Sequence, residues 1–233
     1  MKKELNFLFV LMFLATKSFS QNKGYVSISM GPSFPIGNFA SKNVNNNFAG
    51  WASTGIVLDI NIAYKLGRNF GLFGSLRGQT NNFDNAAFAT ELANQTGYDW
   101  SVSSKPWSIG GLMFGGYGSF PVSKKVSFDT KSLIGILRIA TPEINSTLSG
   151  SGGSVWVKQN SVNSISFTYL LGSGFKFDIT EKICLMTHLD YLVSKPEFRN
   201  VEIITSDGGA PLKSTFTQNI QTINFFVGVG LRL

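Results

Sequence analysis

Cysteine, histidine and charge are scarce in this chain. One Cys, Cys184, excludes an intrachain disulfide, and one His, His188, leaves too few nitrogen and sulfur ligands for an ordinary transition-metal site. No Gly-x-Gly-x-x-Gly opens a helix, so no nucleotide-binding fingerprint is present and no cofactor is expected. Only 14% of residues are charged, and no run of five or six basic residues exists, which argues against nucleic acid as a partner. Long hydrophobic runs are also missing. Beyond residue 20, Gly, Asn, Ser or a charge recurs every few positions, so no spanning helix of about 20 apolar residues can be drawn.

The one apolar run lies at the start. Lys2 and Lys3 precede Leu5 to Ala15, and Ser18 and Ser20 flank a cut before Gln21, so residues 1–20 read as a cleaved secretory signal and 21–233 as the mature domain. Loss of Lys2, Lys3, Lys17 and Glu4 with this leader takes 20 basic and 13 acidic residues to 17 and 12, a net of +5. Cys184 lies far from the predicted mature start, so it is no lipid anchor there and is expected to be a small buried side chain.

What the mature chain does have is period-two alternation, in eight segments: 24–35, 51–65, 70–80, 107–121, 126–140, 164–178, 183–195 and 219–233. In the second, Ile56, Leu58, Ile60 and Ile62 share one face, and Asp59, Asn61 and Lys65 share the other. The fourth is expected to expose Trp107, Ile109, Met113 and Tyr117, with Gly110, Gly116 and Gly118 inward. The links run long, short, long, short, long, short, long. The first long link is Asn-rich, and the second holds a short predicted helix, NAAFATELANQT, closed by Gly97. The third contains SGSGGS at 149–154, read as a mobile tip.

Backbone polar groups in hydrocarbon must all be paired, so strands that cross a membrane must close into a ring. Segments of 10 to 15 residues at about 3.3 Å each, tilted near 45°, cross a band about 25 Å tall. The expected fold is therefore all-β, an eight-stranded antiparallel up-and-down transmembrane β-barrel in the outer membrane. Eight strands leave room only for side chains inside. The inward set, Asp59, Arg77, Asp129, Lys131, Lys176, His188 and Asp190, is near charge balance and predicts an ion-pair and hydrogen-bond network filling the lumen. Hairpin arithmetic around 66–69 sets Asp59 opposite Arg77. Inward Phe73, Phe114, Phe120, Leu170, Met186 and Phe226 are expected to add bulk.

The opening GYVSISMGPSFPIGNF, hairpins such as YKLGRNFGLFGSL and FPVSKKVSFD, and the ending FFVGVGLRL together resemble small outer-membrane barrel domains of Gram-negative bacteria, of the OmpA-like and PorT-like kinds. The ending is similar to the carboxyl-terminal signal read by the barrel-assembly machinery, with Gly228, Leu231 and Leu233 at the Gly-x-x-apolar-x-apolar positions; an aromatic usually stands where Leu233 does. No peptidoglycan-binding domain follows the last strand, which sets an expectation against cell-wall anchoring. The expected partners are outer-membrane lipid and, from the net charge of +5, lipopolysaccharide, with an unidentified protein on the four long loops; the resemblances imply the assembly machinery as a further partner and, in the PorT-like case, a secretion-associated role.

Three functions are weighed. The first is a non-enzymatic structural or interaction barrel; the second is a narrow channel or small-solute carrier. The third is a lipid-modifying enzyme using His188, since some eight-stranded barrels act on acyl chains with His, Ser and acidic residues. Residues two apart on a strand stand roughly 6 to 7 Å apart, beyond hydrogen-bond reach, which counts against His188 with Asp190.

Overall fold

The computed structural model describes residues 24–46, 48–150 and 153–233; the predicted leader and its cut site lie outside them. In chain order the elements are β1 (Gly24–Pro35), the single turn α1 (Gly37–Ala40), β2 (Ala52–Lys65), β3 (Phe70–Phe83), α2 (Asn85–Thr96), β4 (Ser101–Ser104), β5 (Trp107–Pro121) and β6 (Val126–Ala140). There follow β7 (Ile144–Gly150), β8 (Gly153–Gln159), β9 (Asn163–Asp178), β10 (Ile183–Ser194), β11 (Glu197–Thr205), β12 (Leu212–Thr217) and β13 (Ile220–Arg232).

Eight of these strands close a ring in the order β1-β13-β10-β9-β6-β5-β3-β2. Closure is visible at Val26, which pairs with Leu231 of the last strand on one side and Ile62 of the second on the other. Every neighbour is antiparallel, and each strand's backbone is paired on both sides, as hydrocarbon requires. The three short links share one turn geometry. Leu66 and Gly67 both donate to the Phe70 carbonyl, Val122 and Ser123 to that of Val126, and Ile179 and Thr180 to that of Ile183. These turns and both ends of the described chain lie at one end of the barrel, the turn end.

The outer face carries an apolar belt that water would not tolerate. Ile60, Leu76, Leu112 and Ile136 are successive cross-strand partners, and Leu112 is 67% and Ile165 73% exposed. A soluble monomer rarely shows a contiguous apolar surface of this extent. Among the described residues no helix is long and apolar enough to cross a membrane; any crossing is made by strands.

The alternation assigned seven strands to the correct faces and inverted β5. Trp107, Ile109, Met113 and Tyr117 point inward and are at most 4% exposed, while Gly110 and Gly116 face outward with Leu112 and Phe114. Phe114 therefore adds nothing to the lumen. Phe120 packs edge-on against exposed Phe70, at 5.7 Å, on the outer side. The physical reason is that this strand has large apolar side chains on both faces, so alternation gives no preference. Its inward glycines, Gly111 and Gly115, lie where a Cβ would meet the backbone of β6 at 2.4 and 2.1 Å.

The long links are more ordered than expected. Strands β12-β11-β8-β7-β4 form a second, five-stranded sheet at the loop end, drawn from three different links. Ser149 and Gly150 pair with Ser154 and Gly153, so the stretch read as a mobile tip is largely a hairpin; its residues 151 and 152 lie outside the described set. The predicted helix is present as α2. Asp84 caps it by accepting from the Ala87 amide at 3.0 Å, and Gly97 ends it with φ 74°.

Candidate functional site

The barrel interior holds three charge-neutral groups stacked along its axis. In the middle, Arg77 faces its cross-strand partner Asp59 and grips it with two bonds, Nε to Oδ1 at 2.9 Å and Nη2 to Oδ2 at 2.7 Å. The same Nη2 reaches Asp190 on β10 at 2.9 Å, and Lys131 on β6 meets the same carboxylate oxygen at 2.9 Å. Two cations and two anions from four strands are thus joined across the lumen. Nearer the turn end, Lys176 meets Asp129 at 3.3 Å and Ser119 at 3.1 Å. At the rim, Arg232 pairs with Asp178. Within these three groups every cation faces an anion, which is what makes burial of the charges tolerable; Lys65, at the turn-end mouth beside Lys176 and Arg232, stands outside them.

Aromatic faces fill the spaces between. The Lys131 ammonium sits 5.2 Å from the Phe73 ring centre, Lys176 5.2 Å from that of Tyr25, and the Arg77 guanidinium 5.3 Å from that of Phe226. Tyr25, Phe73 and Tyr117 form a mutually edge-on trio. Above the ion cluster, Asn81 and Gln79 bond each other and Asn81 bonds Ser33.

His188 shares the inward face but joins no hydrogen bond or ion pair of this network among the described residues. Its cross-strand partners are Phe226 and Gly174. Asp190 is committed to Arg77 and Lys131, and Ser194 donates to the Phe167 carbonyl at 3.0 Å. No nucleophile-base pair is assembled from these groups. Cys184 is fully buried, its Sγ 3.6 Å from the Gly230 carbonyl. No cluster of metal-ligating side chains occurs among the described residues.

Sequence reasoning missed the cap that closes the loop end. Phe39 of α1, Trp107 of β5 and Phe198 of β11 stack in series, at 5.4 and 5.9 Å, and Phe216 of β12 continues the row at 5.4 Å. Trp107 Nε1 donates to the Gly50 carbonyl, and Gln218 donates to that of Phe48, tying the first and last long links together. A second cluster seats Phe88 of α2 against Trp51 and Phe83. The available signal was the set of aromatics in links that are otherwise polar. On the flank of this cap, a hydrogen bond from Lys42, then the Ala87 amide, holds the Asp84 carboxyl below the usual range.

The three positions expected to form an assembly signal sit on β13 and just beyond it. Gly228 faces inward between Ser29 and Met186, Leu231 faces outward, and the Leu233 amide bonds the Gly24 carbonyl at 3.0 Å.

This ring is similar to those of several solved structures. With a major outer membrane protein from Thermus thermophilus the chain shares 12% identity at a TM-score of 0.50, over 90% of its own length and 99% of that chain's. The fold is that of a small outer-membrane barrel. Neisserial surface protein A is similar at 10% identity and TM-score 0.45, over 93% and 100% of the two chains. Ail of Yersinia pestis, solved with the heparin analogue sucrose octasulfate, is similar at 14% and 0.44, over 91% and 99%. No protein-family model matches the chain, and no curated protein matches its sequence.

Proposed function

We propose that this chain is a non-enzymatic outer-membrane barrel whose lumen is closed to solutes and whose loop-end sheet is its interaction surface. In this reading the short turns face the periplasm and the long links face outward, the usual asymmetry of such barrels. The observation that carries it is the run of ion groups and aromatics across the lumen, with the Phe39–Trp107–Phe198 row over its loop-end mouth; a cavity of about 240 Å³ opens at the turn end. The sheet that rises from the mouth ends in two strands, β12 and β4, each paired on one side only. Such open edges accept an extended segment of another protein by main-chain bonding.

Outer-membrane lipid and lipopolysaccharide would surround the apolar belt, and the Gly228, Leu231 and Leu233 positions would present the chain to the assembly machinery. A secretion-associated role rests on the PorT-like resemblance alone. Planar-bilayer recording tests the closed lumen: the protein is expected to insert without steady single-channel current, and a stable ohmic conductance would establish the carrier reading instead. A lipid-hydrolysis assay is expected to show no activity above buffer, unchanged by His188→Ala.

A further inference from the structure

Among the depressions on the lipid-facing wall, one is lined almost wholly by apolar groups and rimmed by a single charge. Cross-strand partners share a face, so Leu58, Gly78, Gly110, Arg138 and Ile165 form a single outward row across β2, β3, β5, β6 and β9. Two adjacent glycines leave the centre of that row without side chains. A Cβ at Gly78 would meet nothing within 4 Å, and one at Gly110 only the Arg77 carbonyl, at 3.4 Å. Two rows nearer the turn end, Gly74 makes a second break between Ile62 and Phe114. The result is an apolar groove of about 890 Å³ running along the wall, lined by Gly74, Gly110, Leu112, Ile136 and, at its loop-end rim, Arg138.

Arg138 is the only charged side chain among the outward positions of these four strands, β2, β3, β5 and β6. It is exposed, and its Nε donates to Asn163 Oδ1 at 3.2 Å. No carboxylate lies within ion-pair distance of it among the described residues. The row beyond it turns polar, with Thr80, Ser108 and Asn163 as outward neighbours. Twelve residues at about 3.3 Å each, tilted near 45°, raise Arg138 roughly 28 Å above Val126, at the top of an apolar band about 25 Å tall. An exposed guanidinium there, with only its Nε engaged by Asn163 among the described residues, is matched by a phosphate at headgroup level.

We infer that this groove binds a lipid A-type molecule, a phosphorylated and multiply acylated glucosamine lipid, with one acyl chain along the glycine breaks and a phosphate on Arg138. Thr80 and Ser108 then lie beside the sugar. The choice of lipid A over a phosphatidylglycerol rests on Thr80 and Ser108, whose hydroxyls would bond a sugar ring that phosphatidylglycerol lacks, and on the reading above that the long links face outward, since only then does Arg138 meet the outer leaflet.

The test is native mass spectrometry of the protein purified from membranes in detergent micelles, titrated with lipid A, dephosphorylated lipid A or phosphatidylglycerol. Lipid A is expected to be retained about tenfold over the other two, and Arg138→Gln to lower its retention about tenfold, to the dephosphorylated level. Gly110→Leu, which fills the groove from outside, is expected to lower retention of all acylated ligands. Unchanged retention by Arg138→Gln, equal retention of phosphatidylglycerol, or a dimer that masks the groove would each overturn the proposal. Heat-modifiable gel migration checks that each variant is a folded barrel. Protease access to a tag in the β7–β8 link on whole cells checks orientation separately: an inaccessible tag refutes the outward-loop reading, whereas an accessible tag without phosphate selectivity refutes only the lipid site.

Discussion

Asp59 and Arg77 are direct cross-strand partners on β2 and β3, joined by two hydrogen bonds of 2.9 and 2.7 Å, and Arg77 is the side chain through which Asp59 is coupled to Asp190 across the lumen. Removing the guanidinium strands Asp59 without a cation and leaves Asp190 with Lys131 alone. Arg77→Ala is therefore expected to destabilise the barrel by about 3–5 kcal/mol, the range for a broken buried pair. Lys158→Ala, which removes a 3.5 Å contact to Glu143 in the loop sheet, is expected to stay within about 1 kcal/mol. Unfolding in micelles, followed by heat-modifiable migration, compares the two; equal midpoints would refute a structural role for the lumen network. The double variant Asp59→Leu/Arg77→Met, which removes both charges together, is expected to be more stable than Arg77→Ala.

Gly172 of β9 makes room for the other half of that cluster. A Cβ there would come within 2.3 Å of Asp190 Oδ1 and 2.6 Å of Lys131 Cε, the far ends of two flexible side chains that are locked together at 2.9 Å. Gly172→Ala is expected to push the pair apart and destabilise by about 1–3 kcal/mol. Gly67→Ala, in an open turn with nothing within 4 Å, should be neutral by the same measurement.

The barrel was legible because its chemistry is local. Alternation places a side chain in or out from its own strand, and the four-residue link at 66–69 sets the Asp59–Arg77 pairing by counting alone. β5 failed because Ile109 and Met113 face Leu112 and Phe114 across the same strand, and because inward Trp107 and Tyr117 stand where interfacial aromatics would. The outer sheet failed for a different reason. Its strands are short and largely polar, and nothing within β7, β8 or β11 says that Lys158 will sit beside Ile204 from a later link. Likewise the Phe39–Trp107–Phe198 cap joins residues from three separate parts of the chain, so only the closed ring brings them together.

Trp107 is the centre of that cap, touching Phe39 and Phe198 with its ring and Gly50 with Nε1. Trp107→Ala is expected to cost about 3–5 kcal/mol of loop-end stability, as for other large buried aromatics. Trp107→Phe, which keeps the ring contacts and leaves the Gly50 carbonyl unpaired, should cost about 1–3 kcal/mol. Amide exchange is the discriminating measurement: the segments around Phe39, Phe198 and Phe216 should lose protection while the centres of β9 and β10 keep theirs. Uniform loss around the ring would mean that the cap and barrel unfold as one unit.

Asp84 gives the loop end a pH dependence whose sign follows from its partners. Lys42 and the Ala87 amide both favour the carboxylate, so the folded pKa lies below the unfolded value of about 3.9. A depressed acid contributes stability that is fully present above the unfolded pKa and is lost as pH falls through the folded one. The start of α2 should therefore hold from neutral pH down to about 4 and fray below it, releasing Phe88 from Trp51. Titration of the Ala87 amide by NMR in micelles should give a midpoint below about 3.9. Lys42→Gln should move that midpoint up toward the ordinary value, and Asp84→Asn, which can still accept from Ala87, should abolish the transition. A wild-type midpoint at or above the ordinary value would show that the Lys42 contact does not act on this cap.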